Sequence, residues 1–214
     1  MCVRFFIDKE SKKLNKLIES AAMSPLADRF RNRLTVPILA AGEIGPESVT
    51  PVIATNRRGA AAVFPMQWGF DLSAGSAETG SPKRSTKLFN ARAETAGEKA
   101  TFAEAWRSHR CIVPASWYFE WTHPIDENGK KRTGERFSIR AKEEELTCLC
   151  GLYRIEAGLP KFVILTRPPV GELTSIHDRM PLILPQAKSR EWIDPKNDPD
   201  RIADEALTEM LLWN

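Results

Sequence analysis

Four residues of this sequence have types and settings that could carry chemistry: Cys2, Asn90, Glu120 and His177. If Met1 is removed, Cys2 presents an α-amine and a thiol on adjacent carbons. Their unperturbed pKa values are about 8 and about 8.5, so both groups are partly nucleophilic at neutral pH. The amine can convert an aldehyde into a Schiff base, and the thiol can then close a thiazolidine ring on the imine carbon. A cysteine at position 2 is weak evidence alone, so its meaning depends on the rest of the chain.

Glu120 lies within an aromatic segment, WYFEW at 117–121. Strand alternation predicts that Phe119 and Trp121 share one face and that Glu120 lies on the other. Apolar surroundings would raise the pKa of this carboxyl and make it a usable general acid. The alternative is a glutamate on the solvated face of an edge strand, and this segment does not decide between the two.

His177 occupies a polar break between Pro168-Pro169 and an apolar strand predicted at 182–184. Histidine titrates nearest neutrality, which suits proton transfer. The alternative is a structural histidine whose ring bonds a backbone carbonyl. Adjacent residues of an extended chain point apart, so Asp178 is not expected to orient the ring.

Asn90, Arg92 and Glu94 would project from one face of a strand predicted at 88–94. The amide could fix a hydroxyl or carbonyl of a ligand, and the guanidinium suits phosphate. The alternative is a surface stripe in which Arg92 pairs with Glu94.

Three more residues are candidates for nucleic-acid contacts. Arg4 and Arg179 could bind phosphates if the fold brings them together. Trp68 could act as a wedge in a base stack, or it could simply be a core residue.

The composition is that of an ordinary globular protein of 214 residues, with 42% hydrophobic and 28% charged residues and a net charge of +3. This charge permits an anionic partner without requiring one. The sequence contains no apolar run of membrane-spanning length, so we expect no membrane partner. The polar segment 8–13 is unlike a secretory signal, and we expect a cytoplasmic protein with reduced thiols.

Cysteine and histidine spacing does not predict a metal site or a cofactor. Cys148-Leu149-Cys150 lacks a second pair of ligands, and His109, His123 and His177 are scattered along the chain. Cys111, Cys148 and Cys150 lie in apolar segments, so we expect them to be buried hydrophobic residues.

Many short strands without a βαβ rhythm predict an α+β fold, a single domain over 1–214 with a β-rich, barrel-like core of mostly antiparallel strands and peripheral helices. Strands are predicted at 2–6, 34–40, 52–55, 61–64, 88–94, 111–115, 117–122, 136–140, 147–153, 161–166 and 182–184. Helices are predicted at 11–22, capped by Ser11, at 95–109, opened by a Thr95–Glu98 capping box, and at 186–193 and 201–212. Pro25 is expected to close the first helical region.

Five separated motifs together resemble the SOS-response-associated peptidase family, whose members process abasic sites and crosslink to DNA. They are MCxRF at 1–5, WGF at 68–70, NARAET at 90–95, VPA at 113–115 leading to FEW at 119–121, and IHDRMP at 176–181. The resemblance implies a partner, abasic single-stranded DNA, and loss of Met1. Cys2 would attack the ring-opened aldehyde, with lyase-like Schiff-base chemistry, and end as a thiazolidine crosslink.

The resemblance also implies roles for individual residues. Glu120 would assist sugar ring opening and proton transfers, His177 would act beside it and in reversal of the link, and Asn90 would position Cys2 and the sugar. The residues expected to line the DNA site are Arg4, Arg92 and Arg179 at phosphates, Thr166 at the end of its strand, and Trp68 and Trp121 as stacking or wedge residues.

The sequence departs from the family pattern at two places. Val3 stands where glycine is usual, and Ser116-Trp117 stands where an Asp-Gly pair is usual. Neither departure touches a residue that is assigned chemistry, but both could alter the local shape and the substrate range.

Other functions compete with this one. An N-terminal-nucleophile amidohydrolase would use the Cys2 thiol on an amide with its own amine as base, although a glycine-rich oxyanion segment is not evident. A non-catalytic single-strand-binding module would use only the aromatic and arginine residues. A peptidase acting on other proteins has least support, since the only cleavage required is removal of Met1, which an aminopeptidase or the protein itself could perform. We expect a monomer.

Overall fold

The structure is a computed structural model that describes residues 3–34, 38, 41–72 and 86–214. The strands of these segments are, in chain order, β1 (Phe5–Ile7), β2 (Gly42–Ile44), β3 (Val49–Thr55), β4 (Ala61–Trp68), β5 (Phe70–Leu72), β6 (Thr86–Leu88), β7 (Asn90–Arg92), β8 (Arg110–Ala115), β9 (Trp117–Trp121), β10 (Arg136–Ala141), β11 (Thr147–Glu156), β12 (Leu159–Arg167), β13 (Met180–Pro181), β14 (Ile183–Leu184) and β15 (Met210–Trp213). The α-helices are α1 (Lys12–Ala22), α2 (Pro25–Leu34), α3 (Ala93–Ala96), α4 (Ala103–Ser108), α5 (Ser189–Ile193) and α6 (Pro199–Ala203). Short 3₁₀ turns lie at Gly171–Ser175 and Gln186–Lys188.

A closed ring of strands forms the centre of the molecule. Its order is β12-β4-β3-β8-β11, and the pairing of β11 with β12 closes it. Neighbouring strands are antiparallel except β4 and β12, which run parallel. β7 pairs in parallel with β12 beyond the end of β4, while β13 pairs with β12 and β14 with β11. The predicted α+β fold with a mostly antiparallel, barrel-like core is confirmed.

A second, antiparallel sheet has the order β15-β10-β9-β1-β2. A short link at Ser116 joins β9 to the barrel strand β8, and the Ser116 N–H donates to the carbonyl of Phe6 at 2.8 Å. This sheet therefore brings the start of the chain, in β1, directly beside β9.

The barrel strands contain the three described cysteines, Cys111 on β8 and Cys148 and Cys150 on β11, all buried and free as predicted. Burial raises the pKa of the Cys148 thiol to about 11, so it is an inert hydrophobic group at neutral pH. Gly151 is required by this packing, because a Cβ there would lie 2.8 Å from the Val163 carbonyl oxygen.

The observed helices agree in part with those predicted from the sequence. α1 begins where predicted, and Ser11 caps it by accepting from the Leu14 N–H. The expectation that Pro25 closes the region is wrong, because Pro25 starts α2, where its missing N–H is not needed. None of the helices in the described segments combines the length and the apolar character that spanning a bilayer requires.

Three other predicted elements are corrected. The prediction of one helix at 95–109 opened by a capping box is wrong. Thr95 lies inside α3, and the helix that follows is the separate α4. The last helix, expected to reach residue 212, ends at Ala203 in α6, and the chain finishes as strand β15, which pairs with β10. The strand predicted at 34–40 is not found at its described positions: Leu34 ends α2 and Ile38 makes one isolated bridge to Val49, while the other five residues lie outside the described segments.

Candidate active site

Glu120 is held in the middle of the second sheet by strands on both sides. β9 pairs with β1 through Tyr118 and Phe5, and with β10 through Glu120 and Phe137. The Glu120 side chain is only 4% exposed, and this burial raises the pKa of its carboxyl above the usual 4.5. A carboxyl shifted in this direction is better suited to hold and deliver a proton near neutral pH.

The predicted alternation of β9 is confirmed by its ring contacts. Phe119 and Trp121 pack together on one face with centroids 6.5 Å apart, and Glu120 between them takes the opposite side. Phe119 and Trp121 therefore lie on one face of the sheet, while Tyr118 and the Glu120 carboxylate lie on the other.

His177 follows the 3₁₀ turn at Gly171–Ser175 and lies next to β13. Its Nδ1 is 2.7 Å from Oδ1 of Asp178 and 3.0 Å from the Arg179 N–H. The expectation that Asp178 cannot orient the ring is wrong, because the chain turns here and the alternation of extended strands does not apply. Burial lowers the pKa of His177 below 6.5, so the ring is neutral at pH 7.

The two contacts at Nδ1 of His177 require opposite states of the ring. Asp178 accepts a hydrogen bond only when Nδ1 carries the proton, whereas the Arg179 N–H donates only when Nδ1 has a lone pair. The position of the ring proton thus decides which neighbour holds the imidazole.

His123, which sequence reasoning left without a role, joins Glu120 and His177. Its ring lies edge-on to that of His177, with centroids 5.6 Å apart. One ligand atom from each of the three residues lies within 4.8 Å of the others. Sequence spacing gave no signal for this proximity, because the two histidines are 54 positions apart and the turn at His177 brings them together.

Asn90 and Thr166 lie on the neighbouring strands β7 and β12. Asn90 is in register with Ile164, and Thr166 with both Arg92 and Pro181. The Thr166 side chain is fully buried and donates to the Ala91 carbonyl at 3.3 Å. The amide oxygen of Asn90 is buried, and no described residue hydrogen-bonds to it.

Arg179 uses its guanidinium within the protein. It donates to both oxygens of Glu94, at 2.7 and 2.8 Å, and to the Thr166 carbonyl at 2.6 Å. Glu94 does not continue the predicted strand with Asn90 and Arg92, because it lies in α3. The pairing of Glu94 is therefore with Arg179 and not with Arg92, which is exposed at the end of β7.

Arg4 lies beside Phe119 of β9, and its side chain is about half exposed. Its Nε is 3.5 Å from Oε1 of Glu43. Glu43 also accepts from Arg136 at 2.8 Å, and the Arg136 guanidinium lies 3.6 Å from the Phe119 ring centre and 5.5 Å from that of Trp121. Arg136 was not among the predicted residues. It places a second cation beside Arg4 and over the aromatic face of β9.

The interpretation of Trp68 as a wedge is wrong. The side chain is fully buried, its Nε1 donates to the Phe89 carbonyl at 2.8 Å, and its ring packs on Phe5 and Phe162. Trp68 is a core residue that joins β4 to the segment before Asn90. Trp121 remains partly exposed.

Cys2 lies outside the described residues, and the described chain begins at the partly buried Val3. The Arg4 carbonyl accepts from the Phe119 N–H at 3.0 Å, so the described start of the chain lies one residue from Glu120 along β9. The departure at Ser116-Trp117 has a structural reason: the Ser116 hydroxyl accepts from the Asp8 N–H at 2.9 Å, and Trp117 stacks on Phe6 at 4.4 Å.

Comparison with known proteins gives a consistent result. Residues 1–211 match the family described as SOS response associated peptidase (SRAP). The chain is 39% identical over 120 residues to abasic site processing protein YoqW of Bacillus subtilis, covering 53% of this chain and 51% of YoqW. It is 35% identical over 109 residues to abasic site processing protein YedK of Escherichia coli, covering 50% of this chain and 47% of YedK. The chain thus spans about half the length of these curated relatives.

Solved structures share the fold. A phage-related protein from Bordetella bronchiseptica superposes with a TM-score of 0.68 at 22% identity, covering 99% of this chain and 93% of that one. A protein from Bacteroides thetaiotaomicron gives a TM-score of 0.67 at 22% identity, covering 98% of this chain and 90% of that one. At this identity the likeness extends to the fold alone.

Proposed function

Because this chain belongs to the SOS response associated peptidase family, we propose that it processes abasic sites in single-stranded DNA by forming a covalent crosslink through Cys2 after removal of Met1. The observation that carries the proposal is the position of Glu120. The buried Glu120 carboxyl lies beside His177. It is also one residue along β9 from Phe119, whose N–H donates to the Arg4 carbonyl. Arg4 follows Cys2 by two residues, so this bond holds the start of the chain near Glu120.

The reaction needs an amine, a thiol and a mobile proton. The Cys2 amine adds to C1′ of the ring-opened sugar, and loss of one water molecule gives the imine. The thiol sulfur then adds to the imine carbon while its proton passes to nitrogen, so amine, aldehyde and thiol become a thiazolidine and water. The imine stage is also where lyase-like strand cleavage could begin.

Glu120 and His177 are the groups proposed to move protons in these steps. Burial raises the pKa of Glu120, which favours its use as an acid on the sugar ring oxygen and on the departing water. A neutral His177 beside it can accept a proton during the closing step or deliver one during reversal.

DNA binding is proposed for the residues around this pair. Arg4 and Arg92 are exposed and able to meet phosphates, and Trp121 and Arg136 offer a partly exposed stacking surface. Arg179 would meet a phosphate only by sharing its bonds with Glu94, and Thr166 acts through Arg179. We propose that the protein acts as a monomer on single-stranded DNA.

The decisive experiment is intact-mass measurement of the protein, alone and after mixing with an oligonucleotide containing one abasic site. The protein alone reports loss of Met1, and the mixture should show a denaturation-stable adduct. Cys2→Ala should abolish that adduct, whereas an undiminished adduct in Cys2→Ala would overturn the proposal. Strands without the abasic site are the control, since a simple binding module treats both strands alike.

Three further measurements test the role of Glu120, the competing amidohydrolase function and the removal of Met1. Glu120→Gln should slow adduct formation more than it weakens binding to the strand; equal loss of both would make Glu120 a structural residue. Glutamine turnover in the absence of DNA would instead indicate the amidohydrolase. Met1 retained in Cys2→Ala but lost from the wild-type chain, with the same host aminopeptidase present, would indicate autopeptidase activity.

A further inference from the structure

Glu120, His123 and His177 form a three-residue cluster that the proposed crosslinking chemistry uses only in part. The first two come from β9 and the turn after it, and the third from the turn before β13. One ligand atom from each lies within 4.8 Å of the others. We propose that this cluster is a binding site for a divalent transition metal ion of the zinc class.

The donor set matches that chemistry. Two imidazoles and one carboxylate, with positions left for water, are the donors of many zinc sites, and imidazole favours Zn²⁺, Cu²⁺ and Ni²⁺ over Mg²⁺ and Ca²⁺. The set combines a buried carboxylate, a half-buried ring and an exposed ring. An ion at this position would be reached from the side of His123.

The geometry requires only a small closure. Metal–ligand bonds of about 2.1 Å place tetrahedral ligands about 3.4 Å apart, somewhat closer than the limit observed here. Glu120 and His177 are fixed by their strands and turns, whereas His123 lies in the exposed loop that follows β9. Rotation of the His123 side chain therefore provides the movement that brings the third ligand in.

Asp178 supplies the support that metal-binding histidines usually have. Its Oδ1 lies 2.7 Å from Nδ1 of His177, so a proton on Nδ1 would be held by the carboxylate while Nε2 binds the ion. The Arg179 N–H, 3.0 Å from the same Nδ1, would then lose its acceptor. The ion thus selects one of the two ring states that the neighbours of His177 allow.

The site has a consequence that rests on the proposed function. A metal ion bound to Glu120 and His177 occupies the two groups proposed to move protons, and it would slow crosslinking until the ion leaves. His123 is the residue that separates the two uses, because it completes the metal site and has no assigned part in the crosslinking reaction.

Calorimetric titration with ZnCl₂ tests the binding, and it should be done in Cys2→Ala because a free aminothiol is itself a chelator. One ion should bind per chain. His123→Gln in this background should weaken binding at least about tenfold, because loss of even an outer-shell partner of a ligand weakens metal binding by roughly 10- to 100-fold. His109→Gln removes an imidazole that packs instead on Tyr153, and it should leave the affinity unchanged.

Equal zinc affinity with and without His123 would overturn the proposal. His123 is exposed, so loss of folding is not expected, and circular dichroism of each variant verifies this. No crosslinking is involved, so this result is independent of whether the proposed function is correct.

A second measurement addresses the consequence. In proteins that retain Cys2, His123→Gln should form the adduct at the wild-type rate when a chelator is present. It should also require at least about tenfold more Zn²⁺ than the wild type for half inhibition. Equal sensitivity of the two proteins would overturn the inhibitory role while leaving the binding result intact.

Discussion

Arg179 donates hydrogen bonds from both terminal nitrogens of its guanidinium to the two carboxylate oxygens of Glu94, at 2.7 and 2.8 Å. The guanidinium also donates to the Thr166 carbonyl, so one side chain links α3, β12 and the turn that carries His177. Arg179 follows His177 by two residues. This link therefore fixes the direction from which the imidazole approaches Glu120.

We expect Arg179→Lys to lower stability, because a lysine cannot reproduce the paired bonds. Glu94 is partly exposed, so the expected loss is about 1 kcal/mol, or roughly 2–4 °C in melting temperature. Arg179 lowers the pKa of Glu94 below 4.5, so this contribution is present above that pH and disappears as the pH falls through the lowered value. Urea denaturation of the variant and the wild type at pH 7 and pH 3 measures the loss of stability and its dependence on pH. Arg92→Lys, at the exposed end of β7, is the control; an Arg179→Lys protein as stable as the control would contradict the prediction.

Arg92 should contribute to DNA binding through charge alone. Removing one phosphate contact from a single strand lowers the slope of log affinity against log salt by about 0.7. We expect this decrease for Arg92→Ala, measured by fluorescence anisotropy with Cys2→Ala protein so that no adduct forms.

Arg58→Ala is the matched control for Arg92→Ala. Arg58 is an exposed arginine in the turn between β3 and β4, and it lines a cavity with Gly158 and Pro160 at the opposite end of β12 from Thr166. Its removal should leave the salt slope unchanged. If the two variants lowered the slope equally, DNA binding would be a diffuse effect of net charge.

Glu120→Gln should stabilise the protein at neutral pH. Burial raises the folded-state pKa of Glu120, so its contribution to stability is greatest below the usual 4.5 and decreases as the pH rises through the raised value. The neutral amide avoids that loss. We therefore expect the stability of the variant relative to wild type to increase from pH 4.5 to pH 8, with a chelator present to keep metal ions away. A difference that does not change with pH would mean that Glu120 is fully compensated when charged.

The sequence was most informative where local patterns act alone. The cap at Ser11, the alternation around Glu120 and the burial of Cys111, Cys148 and Cys150 all follow from composition and periodicity within a few residues. These features depend on short-range geometry or on apolar surroundings, and both can be read in a short window.

The sequence failed where distant segments decide the structure. The C-terminal segment has helical spacing, but β10 offers an open edge and the chain pairs with it as β15. Asp178 contacts His177 only because the chain turns there, and His123 meets His177 only in the folded molecule. Arg110 is a further case: its side chain is buried, and it donates to five backbone carbonyls that join α4 to α5 and to the segment after α5.

Asn90 is expected to contribute to the reaction and not to the stability of the fold. Its amide oxygen is buried without a hydrogen-bond partner among the described residues, so removing it should not lose a bond that the fold depends on. We expect Asn90→Ala to change the free energy of unfolding by no more than about 0.5 kcal/mol, and to slow adduct formation on abasic strands. Asn56→Ala is the matched control, because the Asn56 amide oxygen accepts from the backbone N–H groups of Arg58 and Ala60, at 2.8 and 3.1 Å. That variant should lose about 1 kcal/mol of stability and keep the wild-type adduct rate. Urea denaturation and gel-resolved adduct kinetics on both proteins measure the contrast, and an Asn90→Ala variant that loses stability but reacts normally would make Asn90 a structural residue.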